Sequence, residues 1–198
     1  EPGSYQPTKY PALINQSMKN KISYLPASWP DKPESVTAVT TLIKGGFSQG
    51  AFSEYNLASH VGDDTLIVAR NREKLVVDLS LPGEPVWLDQ VHSNKVICAD
   101  DVMGAEKAKA DASVSRKKGV VCAVMTADCL PVFFCNLVGD EVAVAHAGWR
   151  GLHAGIISNT VAAMRSSVDD ILVSLGPAIG PQAFEVGEEV FQAFVDKN

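Results

Sequence analysis

The chain lacks the long apolar runs and the signals that would direct it into a membrane or out of the cell. No stretch of about eighteen consecutive apolar residues is present, so the sequence offers no membrane-spanning helix. No basic segment followed by an apolar core and a small-residue cleavage site reads as a secretory signal peptide. We therefore expect a cytoplasmic protein without a membrane partner.

The chain also lacks an excess of basic charge and a dense set of cysteines. Seventeen Lys and Arg stand against 23 Asp and Glu, which gives a net charge of −6, and no block of like charges forms a nucleic-acid arm. A nucleic-acid partner is therefore not expected. The four cysteines are not spaced as in secreted disulfide-rich domains, so we expect thiols or metal ligands rather than disulfides.

Several nucleotide-binding motifs are missing as well. There is no Walker loop, no dinucleotide fingerprint after a strand and no pair of zinc-finger cysteines. The sequence therefore gives no support for binding of nucleoside triphosphates or nicotinamide cofactors, or for a DNA-binding zinc finger. The chain has 198 residues, of which 46% are hydrophobic and 20% charged, and this composition predicts one compact domain over residues 18–198. Residues 1–17 are polar and aperiodic, and we interpret them as a leader or expression remnant.

The spacing of apolar residues predicts a mixture of strands and helices. Strands are expected at residues 35–42, 85–92, 119–125, 131–135, 141–146 and 171–175. Helices are expected from residue 63 or 64 to about 75, from residue 151 until before 169, and over 187–197. Asp64 is the expected N-cap of the first helix. The strands at 131–135 and 141–146 are expected to form a hairpin.

Two chemically unusual segments lie in the second half of the chain. Cys129 follows Thr-Ala-Asp after an apolar run, and His146 ends another run, with alanines and Gly148 around it. With His92 in an earlier Val-His-Ser, they offer three ligands to one metal ion. Three protein ligands with an open position are typical of catalytic zinc, whereas structural zinc usually has four. The sequence therefore predicts a catalytic metal site.

Each residue of this site also has a simpler interpretation. An isolated Cys129 is more often a buried apolar residue, and an isolated His146 is more often a satisfied core histidine. The Asp128 carboxylate favours a cleft, where it orients a ligand or transfers a proton, but it could instead close a turn. Arg150, at the expected start of a helix, is a candidate ligand for phosphate or carboxylate, or else a surface ion-pair residue.

The remaining cysteines and histidines have weaker claims. Each of the other cysteines lies in or beside an apolar run and is interpreted as a core or near-core residue: Cys98, Cys122 and Cys135. His153 is expected on a helix surface. His60, in a glycine-rich loop, is the better second candidate for the site.

A series of motifs, spread from about Met18 to the C-terminus, matches a known family in order. The motifs are Gly45-Gly46-Phe47-Ser48, Asn56-Leu57, His60-Val61-Gly62-Asp63-Asp64, Gln90-Val91-His92-Ser93, Asp111-Ala112, Thr126-Ala127-Asp128-Cys129-Leu130-Pro131, Ala145-His146-Ala147-Gly148-Trp149-Arg150-Gly151 and Gly176-Pro177-Ala178-Ile179-Gly180. In this order they resemble the YfiH family. That family was once labelled polyphenol oxidase or laccase domain and is now linked to purine nucleoside phosphorylase activity.

The resemblance implies a fold and a metal. The fold is α+β, a four-layer α-β-β-α sandwich with mixed sheets, shared with the catalytic domain of a bacterial cytotoxic necrotizing factor. The metal is a zinc ion on His92, Cys129 and His146, the three residues that the sequence pattern also selects. Family members usually continue for several dozen residues past the position of Asn198, so we expect either that the C-terminal part of the domain is missing from this chain or that this member is short.

The resemblance also implies activities. They are phosphorolysis of adenosine, inosine, guanosine and methylthioadenosine, deamination of adenosine, and in some members the editing of peptidoglycan precursors. Zinc lowers the pKa of a bound water toward about 7, and attack of the resulting hydroxide on C6 of adenine would explain deamination. Phosphorolysis needs an anion site, for which Arg150 is our hypothesis, and a group that stabilises the leaving purine, for which Asp128 is our hypothesis. The expected catalytic residues are Cys129, Asp128 and Arg150, and the expected substrate-binding residues are Asn56, His60 and Arg150.

Three other functions remain open. Multicopper oxidation needs many histidines and is disfavoured because the chain has four, although one copper ion could occupy the same three ligands. A cysteine hydrolase could use Cys129 as nucleophile and His146 as base without metal. A non-catalytic metal-binding partner protein is the third alternative.

Overall fold

The structure of the protein, a computed structural model, describes residues 21–102 and 107–196. These residues divide into two compact units, one of residues 21–23 and 41–80 and one of residues 24–40 and 81–196. The interpretation of residues 1–17 as a remnant lies outside the described residues, and a single domain over residues 18–198 stays a prediction. Within the described part, no helix is long and apolar enough to cross a bilayer.

The first unit contains helix α1 (Thr65–Asp78). Asp64 is its N-cap, which confirms the prediction: its Oδ1 accepts a hydrogen bond from the Leu66 N–H at 2.8 Å. This bond satisfies one of the N–H groups that the first turn of a helix leaves free. The helix buries the side chains of Val68 and Leu75, which mark its apolar side.

A buried amide holds the loop before α1 against the helix. Asn71 is fully buried; its Oδ1 accepts the Phe47 N–H at 2.9 Å, and its Nδ2 donates to Ser48 Oγ at 3.0 Å and to the Asn56 carbonyl at 2.8 Å. Hydrogen bonds from the Asn56 amide and the Ser48 hydroxyl lower the pKa of Asp63. The Asn56 side chain therefore helps to hold this loop together.

The second unit contains a mixed sheet of five strands. Two earlier strands, β1 (Tyr24–Pro26) and β2 (Val39–Thr41), form a separate two-stranded sheet, and β2 is shorter than the strand predicted at 35–42. The larger sheet consists of β3 (Val96–Cys98), β4 (Ala112–Ser115), β5 (Leu130–Asn136), β6 (Val142–Ala147) and β7 (Ile171–Leu175). Its strand order is β3-β4-β6-β5-β7; β3 and β4 are parallel, and the other neighbours are antiparallel.

The predicted hairpin and the predicted strand at 171–175 are confirmed. β5 and β6 pair antiparallel with Phe133 opposite Val144. Successive side chains of a strand point to opposite faces, so Val132 and Phe134 share one face of the sheet. They are buried in a core with Ile156 and with residues of β4 and β6. A mixed α+β fold is therefore observed, and its four-layer arrangement stays a prediction.

The prediction of regular strands at 85–92 and 119–125 is wrong. Both segments are described, but they make isolated parallel bridges, Val86 with Cys122 and Asp89 with Lys109, instead of a continuous ladder. Their apolar runs indicated burial, which a strand and an irregular segment share. In contrast, β4 was not predicted although all four of its residues are buried, because its small side chains give a weak alternating pattern.

The single helix predicted after residue 151 is two helices. They are α2 (Trp149–Ala154) and α3 (Ile156–Ala163). Gly155 separates them with φ 91°, in the left-handed region that favours glycine, so one helix ends there and the next begins. The last predicted helix is confirmed as α4 (Glu188–Val195). Apolar residues of α2, α4 and the segment before α4 line a groove of about 480 Å³, among them Trp149, Leu152, Phe184 and Phe191.

A buried carboxylate stabilises the second unit away from the predicted metal ligands. Glu141 accepts hydrogen bonds from the Arg165 N–H at 2.9 Å and the Ser166 hydroxyl at 2.7 Å, and it lies 2.6 Å from Arg116 Nε. Burial raises the pKa of Glu141, but these hydrogen bonds and the Arg116 charge outweigh burial, and the pKa is lowered. The carboxylate therefore stabilises the fold above its unfolded pKa of about 4.3, and this stabilisation is lost as the pH falls through the lowered folded-state pKa.

We expect Glu141→Gln to lower the free energy of unfolding at neutral pH by about 3 kcal/mol, because it leaves the Arg116 guanidinium without its buried partner. The difference from wild type should shrink in acid, where the wild-type carboxylate is itself protonated. Urea unfolding at neutral and acidic pH measures both effects. Glu185→Gln, at an exposed carboxylate, is the control and should match wild type. Equal stability of Glu141→Gln and wild type at neutral pH would contradict this role.

Candidate metal centre

The His92 segment wraps around one buried carboxylate. His92 has φ 58°, in the left-handed region, and the N–H groups of Val91, His92 and Ser93 all donate to Asp111, at 3.3, 3.0 and 2.6 Å. The Ser93 hydroxyl donates to the same carboxylate at 2.8 Å. Successive N–H groups that converge in this way form a concave anion-binding site. Asp111 therefore fixes the backbone from which the His92 side chain projects.

His146, in β6, uses the same carboxylate. Its Nδ1 lies 2.9 Å from Asp111 Oδ1, and its backbone N–H donates to the Asp111 carbonyl at 2.7 Å. Burial raises the pKa of Asp111, but hydrogen bonds from His146, Ser93 and His92 outweigh burial and lower the pKa. The ionised carboxylate can only accept, so the Nδ1–H of His146 donates to it. The other ring nitrogen, Nε2, is the atom that would bind a metal ion.

Cys129 lies directly before β5 and is half-buried. Burial raises the pKa of its thiol, and the negative charges of Asp128 and Asp111 raise it further. Reactive cysteines that act without a metal usually have nearby positive charge, which lowers the thiol pKa. The surroundings of Cys129 therefore favour a thiolate held by a cation over a free thiolate nucleophile.

The three predicted ligands come together. One ligand atom each from His92, Cys129 and His146 lies within 4.8 Å of the others, and the two imidazole rings meet edge to face with centroids 4.8 Å apart. Gly148 leaves the space between them: a Cβ there would lie 3.0 Å from Cys129 Sγ and 3.0 Å from His92 Cδ2. Two imidazoles and a thiolate suit zinc and also copper. These residues therefore fit a metal ion, and the exposed His92 leaves one side of the site accessible.

No contact with the three candidate ligands is described for the other predicted site residues. Asp128 and Arg150 are both exposed, and each is a near neighbour in sequence of a metal-ligand candidate. The Arg150 guanidinium lies over the Trp149 ring at 4.2 Å from its centroid. Asn56 and His60 belong to the first unit, where Asn56 supports the loop before α1 and His60 is exposed. Their roles in substrate binding stay predictions.

Asp111 contacts two of the three candidate ligands, and the sequence pattern assigned it no role. It matched only as part of a family motif, with no role attached. A usable signal existed, since Asp111 stands between Ala110 and Ala112 in a run that the fold buries, and buried carboxylates need hydrogen-bonding or charged partners. The small residues around His146 were expected to clear space, and Gly148 does lie against two of the three ligands.

Known proteins share this fold and much of this sequence. A family model described as multi-copper polyphenol oxidoreductase laccase matches residues 37–198. The chain is 50% identical over 167 residues to the purine nucleoside phosphorylase YfiH of Escherichia coli (strain K12), a match that covers 84% of this chain and 68% of that protein. The chain belongs to the YfiH family. The resemblance deduced from the motifs is therefore confirmed.

Other YfiH-family relatives and structures agree. The chain is 49% identical over 173 residues to a purine nucleoside phosphorylase of Pseudomonas aeruginosa, covering 87% of this chain and 69% of that protein. A crystal structure of a Neisseria meningitidis protein matches with a TM-score of 0.83 and 47% identity over 88% of this chain and 70% of that one. The crystal structure of YlmD from Geobacillus stearothermophilus matches with a TM-score of 0.78 and 28% identity over 89% and 72%. The mixed α+β fold is therefore that of the YfiH family.

The close approach of Gly148 predicts a sensitive position in this YfiH-family site. Gly148→Ala should weaken zinc binding by about tenfold or more, because the added methyl group crowds two ligands. The backbone at Gly148 has φ −67° and accepts alanine without strain, so unfolding should change little. Competition titration with a zinc chelator measures the affinity. Gly83→Ala is the control, because its new Cβ would meet, among the described residues, only the Gly119 carbonyl at 3.9 Å. Equal affinity in both variants would contradict the prediction.

Proposed function

We propose that this protein is a zinc-dependent purine nucleoside phosphorylase in the cytoplasm, acting on adenosine, inosine, guanosine and methylthioadenosine, with adenosine deaminase activity at the same site. The names of its relatives support the phosphorylase reaction. The observation that carries the metal requirement is the cluster of His92, Cys129 and His146, with ligand atoms within 4.8 Å of one another. Its accessible side would receive the nucleoside.

The chain's own residues divide the work of holding the metal. His146 and His92 offer ring nitrogens, and Cys129 offers a negatively charged sulfur that offsets part of the charge of a divalent ion. Asp111 holds the Nδ1 proton of His146 and so leaves Nε2 for the metal. When bound, a zinc ion supplies Lewis acidity at this position.

Phosphorolysis forms a bond between a phosphate oxygen and ribose C1′ and breaks the bond between C1′ and the purine nitrogen. In this proposal Arg150 binds the phosphate, because a planar guanidinium matches phosphate oxygens and its stacking on Trp149 limits its freedom. Asp128 takes up the proton that the attacking dihydrogen phosphate releases and passes it to the departing purine nitrogen. Asn56 and His60 are our proposed contacts to the nucleoside.

A cysteine hydrolase is the second candidate. Asp111, His146 and Cys129 stand in the order of an orienting carboxylate, a base and a nucleophile, and this arrangement favours such a reaction. Two features of the site count against it. Burial and the negative charges of Asp128 and Asp111 raise the pKa of the Cys129 thiol, and His92 lies beside the pair without a role in that chemistry. A single copper ion at the same ligands is a further alternative for the metal.

The experiment is an assay of purine release from inosine with and without phosphate, before and after chelation. We expect hypoxanthine and ribose 1-phosphate only when both phosphate and zinc are present, and recovery when zinc is returned. Turnover that survives chelation would point to the cysteine hydrolase. A zinc-loaded protein that is inert toward every proposed nucleoside would favour the non-catalytic alternative.

A further inference from the structure

A side chain outside the ligand set joins the segments that carry two of the ligands. Gln90, two residues before His92, is half-buried. Its Nε2 donates to the Met125 carbonyl at 2.8 Å, and its Oε1 accepts the Met125 N–H at 2.7 Å. One side-chain amide therefore satisfies both backbone groups of one residue, as a neighbouring strand would.

The hydrogen bonds between Gln90 and Met125 lie close in sequence to a candidate metal ligand. Met125 ends the apolar segment 119–125 and stands four residues before Cys129. Segments 85–92 and 119–125 are bridged by the backbone at Val86 and Cys122, but no regular strand extends this pairing within the described residues of either segment. The Gln90 amide supplies the connection at the end of both segments, where the chain turns toward the metal ligands.

Asp111 makes the corresponding connection on the other side of His92. It binds the N–H groups of residues 91–93 and the imidazole of His146. Gln90 joins the His92 segment to the Cys129 segment, and Asp111 joins the His92 segment to His146. The His92 segment is therefore shared by both connections, and one side chain in each contributes hydrogen bonds close to a ligand.

We propose that Gln90 is a positioning residue for the metal, which acts by fixing the Cys129 loop against the His92 segment. This inference rests on the metal site of the proposed function but not on its substrate. Loss of the Gln90 amide leaves all three ligands and the Asp111 connection in place and frees the loop that carries the thiolate. Partners of this kind usually change metal affinity by about 10- to 100-fold.

The test compares zinc affinity, the spectrum of the cobalt-loaded protein and apo-protein stability in wild type and Gln90→Ala. Gln90→Ala should raise the zinc dissociation constant by about tenfold or more and weaken the thiolate-to-cobalt charge-transfer absorption, which reports on Cys129. Gln90→Glu keeps the acceptor for the Met125 N–H and loses the donor, so its affinity should be intermediate. This milder variant serves if Gln90→Ala does not fold.

Asn136→Ala is the matched control. The Asn136 amide also ties together backbone and side chains, donating to Asp140 at 2.6 Å and to Ser166 at 3.0 Å, but it lies at the opposite end of β5 from Cys129. This variant should lose stability and keep wild-type zinc affinity and the wild-type cobalt spectrum. The proposal is overturned if folded Gln90 variants bind zinc as tightly as wild type does. It is also overturned if Asn136→Ala loses as much zinc affinity as the Gln90 variants do. A wild-type protein that binds neither ion would overturn the proposed metal function as well.

Discussion

Replacing Cys129 by alanine should remove the metal and the phosphorolysis together. The site offers three ligand atoms within 4.8 Å of one another, and without the thiolate only two imidazoles remain to hold a divalent ion. Loss of the Lewis acid is worth several kcal/mol at the transition state, so turnover should fall by about a thousandfold. Metal content by mass spectrometry and purine release from inosine measure the two effects.

The control for Cys129→Ala is Cys98→Ala. Cys98 is a half-buried free thiol in β3 and should be replaceable with full retention of metal and activity. A Cys129→Ala protein that keeps both its metal and its turnover would contradict the ligand assignment. A wild type that turns over substrate without metal, and loses this activity in Cys129→Ala, would identify the cysteine as a nucleophile instead.

Asp111→Asn should produce the second large effect, on metal affinity and on stability. The carboxylate is fully buried and accepts hydrogen bonds from the segment around His92 and from the His146 ring. An amide turns an NH₂ group toward some of these donors, and leaving buried donors unpaired costs about 1–3 kcal/mol each. We expect a loss of about 3 kcal/mol in unfolding free energy and a 10- to 100-fold weaker affinity for zinc.

Denaturant unfolding and zinc titration, both on folded protein, separate these two effects of Asp111→Asn. Asp169→Asn, at an exposed carboxylate in a short turn before β7, is the control and should change neither quantity. Unchanged zinc affinity in Asp111→Asn would mean that the histidines keep their positions without the carboxylate. That result would contradict the role assigned to Asp111.

The sequence predicts those parts of the fold whose burial follows from local pattern. β5 and β6 are apolar runs on either side of a short connection that contains a glycine, and β7 is a short apolar run, so the sequence predicts all three strands. β4 consists of alanine, serine and valine and is buried because strands pair with it on both sides. That pairing is a tertiary property which a local pattern does not contain. The break at Gly155 was missed because glycine is also tolerated within helices.

In the candidate site, too, the sequence reveals what depends on local pattern and misses what depends on long-range contacts. Cys129 and His146 were recognisable because chemically reactive side chains surrounded by small residues are unusual in a core. The residues that hold them act over distance in the chain. Gln90 and Met125 are 35 positions apart, as are Asp111 and His146. The backbone at His92 is left-handed and directs N–H groups toward Asp111. No glycine at this position indicates that conformation in the sequence. Such connections require the folded chain.

One measurement tests the metal-dependent function most directly: zinc content and phosphate-dependent purine release, determined on the same wild-type sample as purified, after chelation and after zinc is returned. We predict about one zinc per chain, loss of purine release on chelation and its return with zinc. Purine release at an unchanged rate from fully metal-free protein would contradict the account.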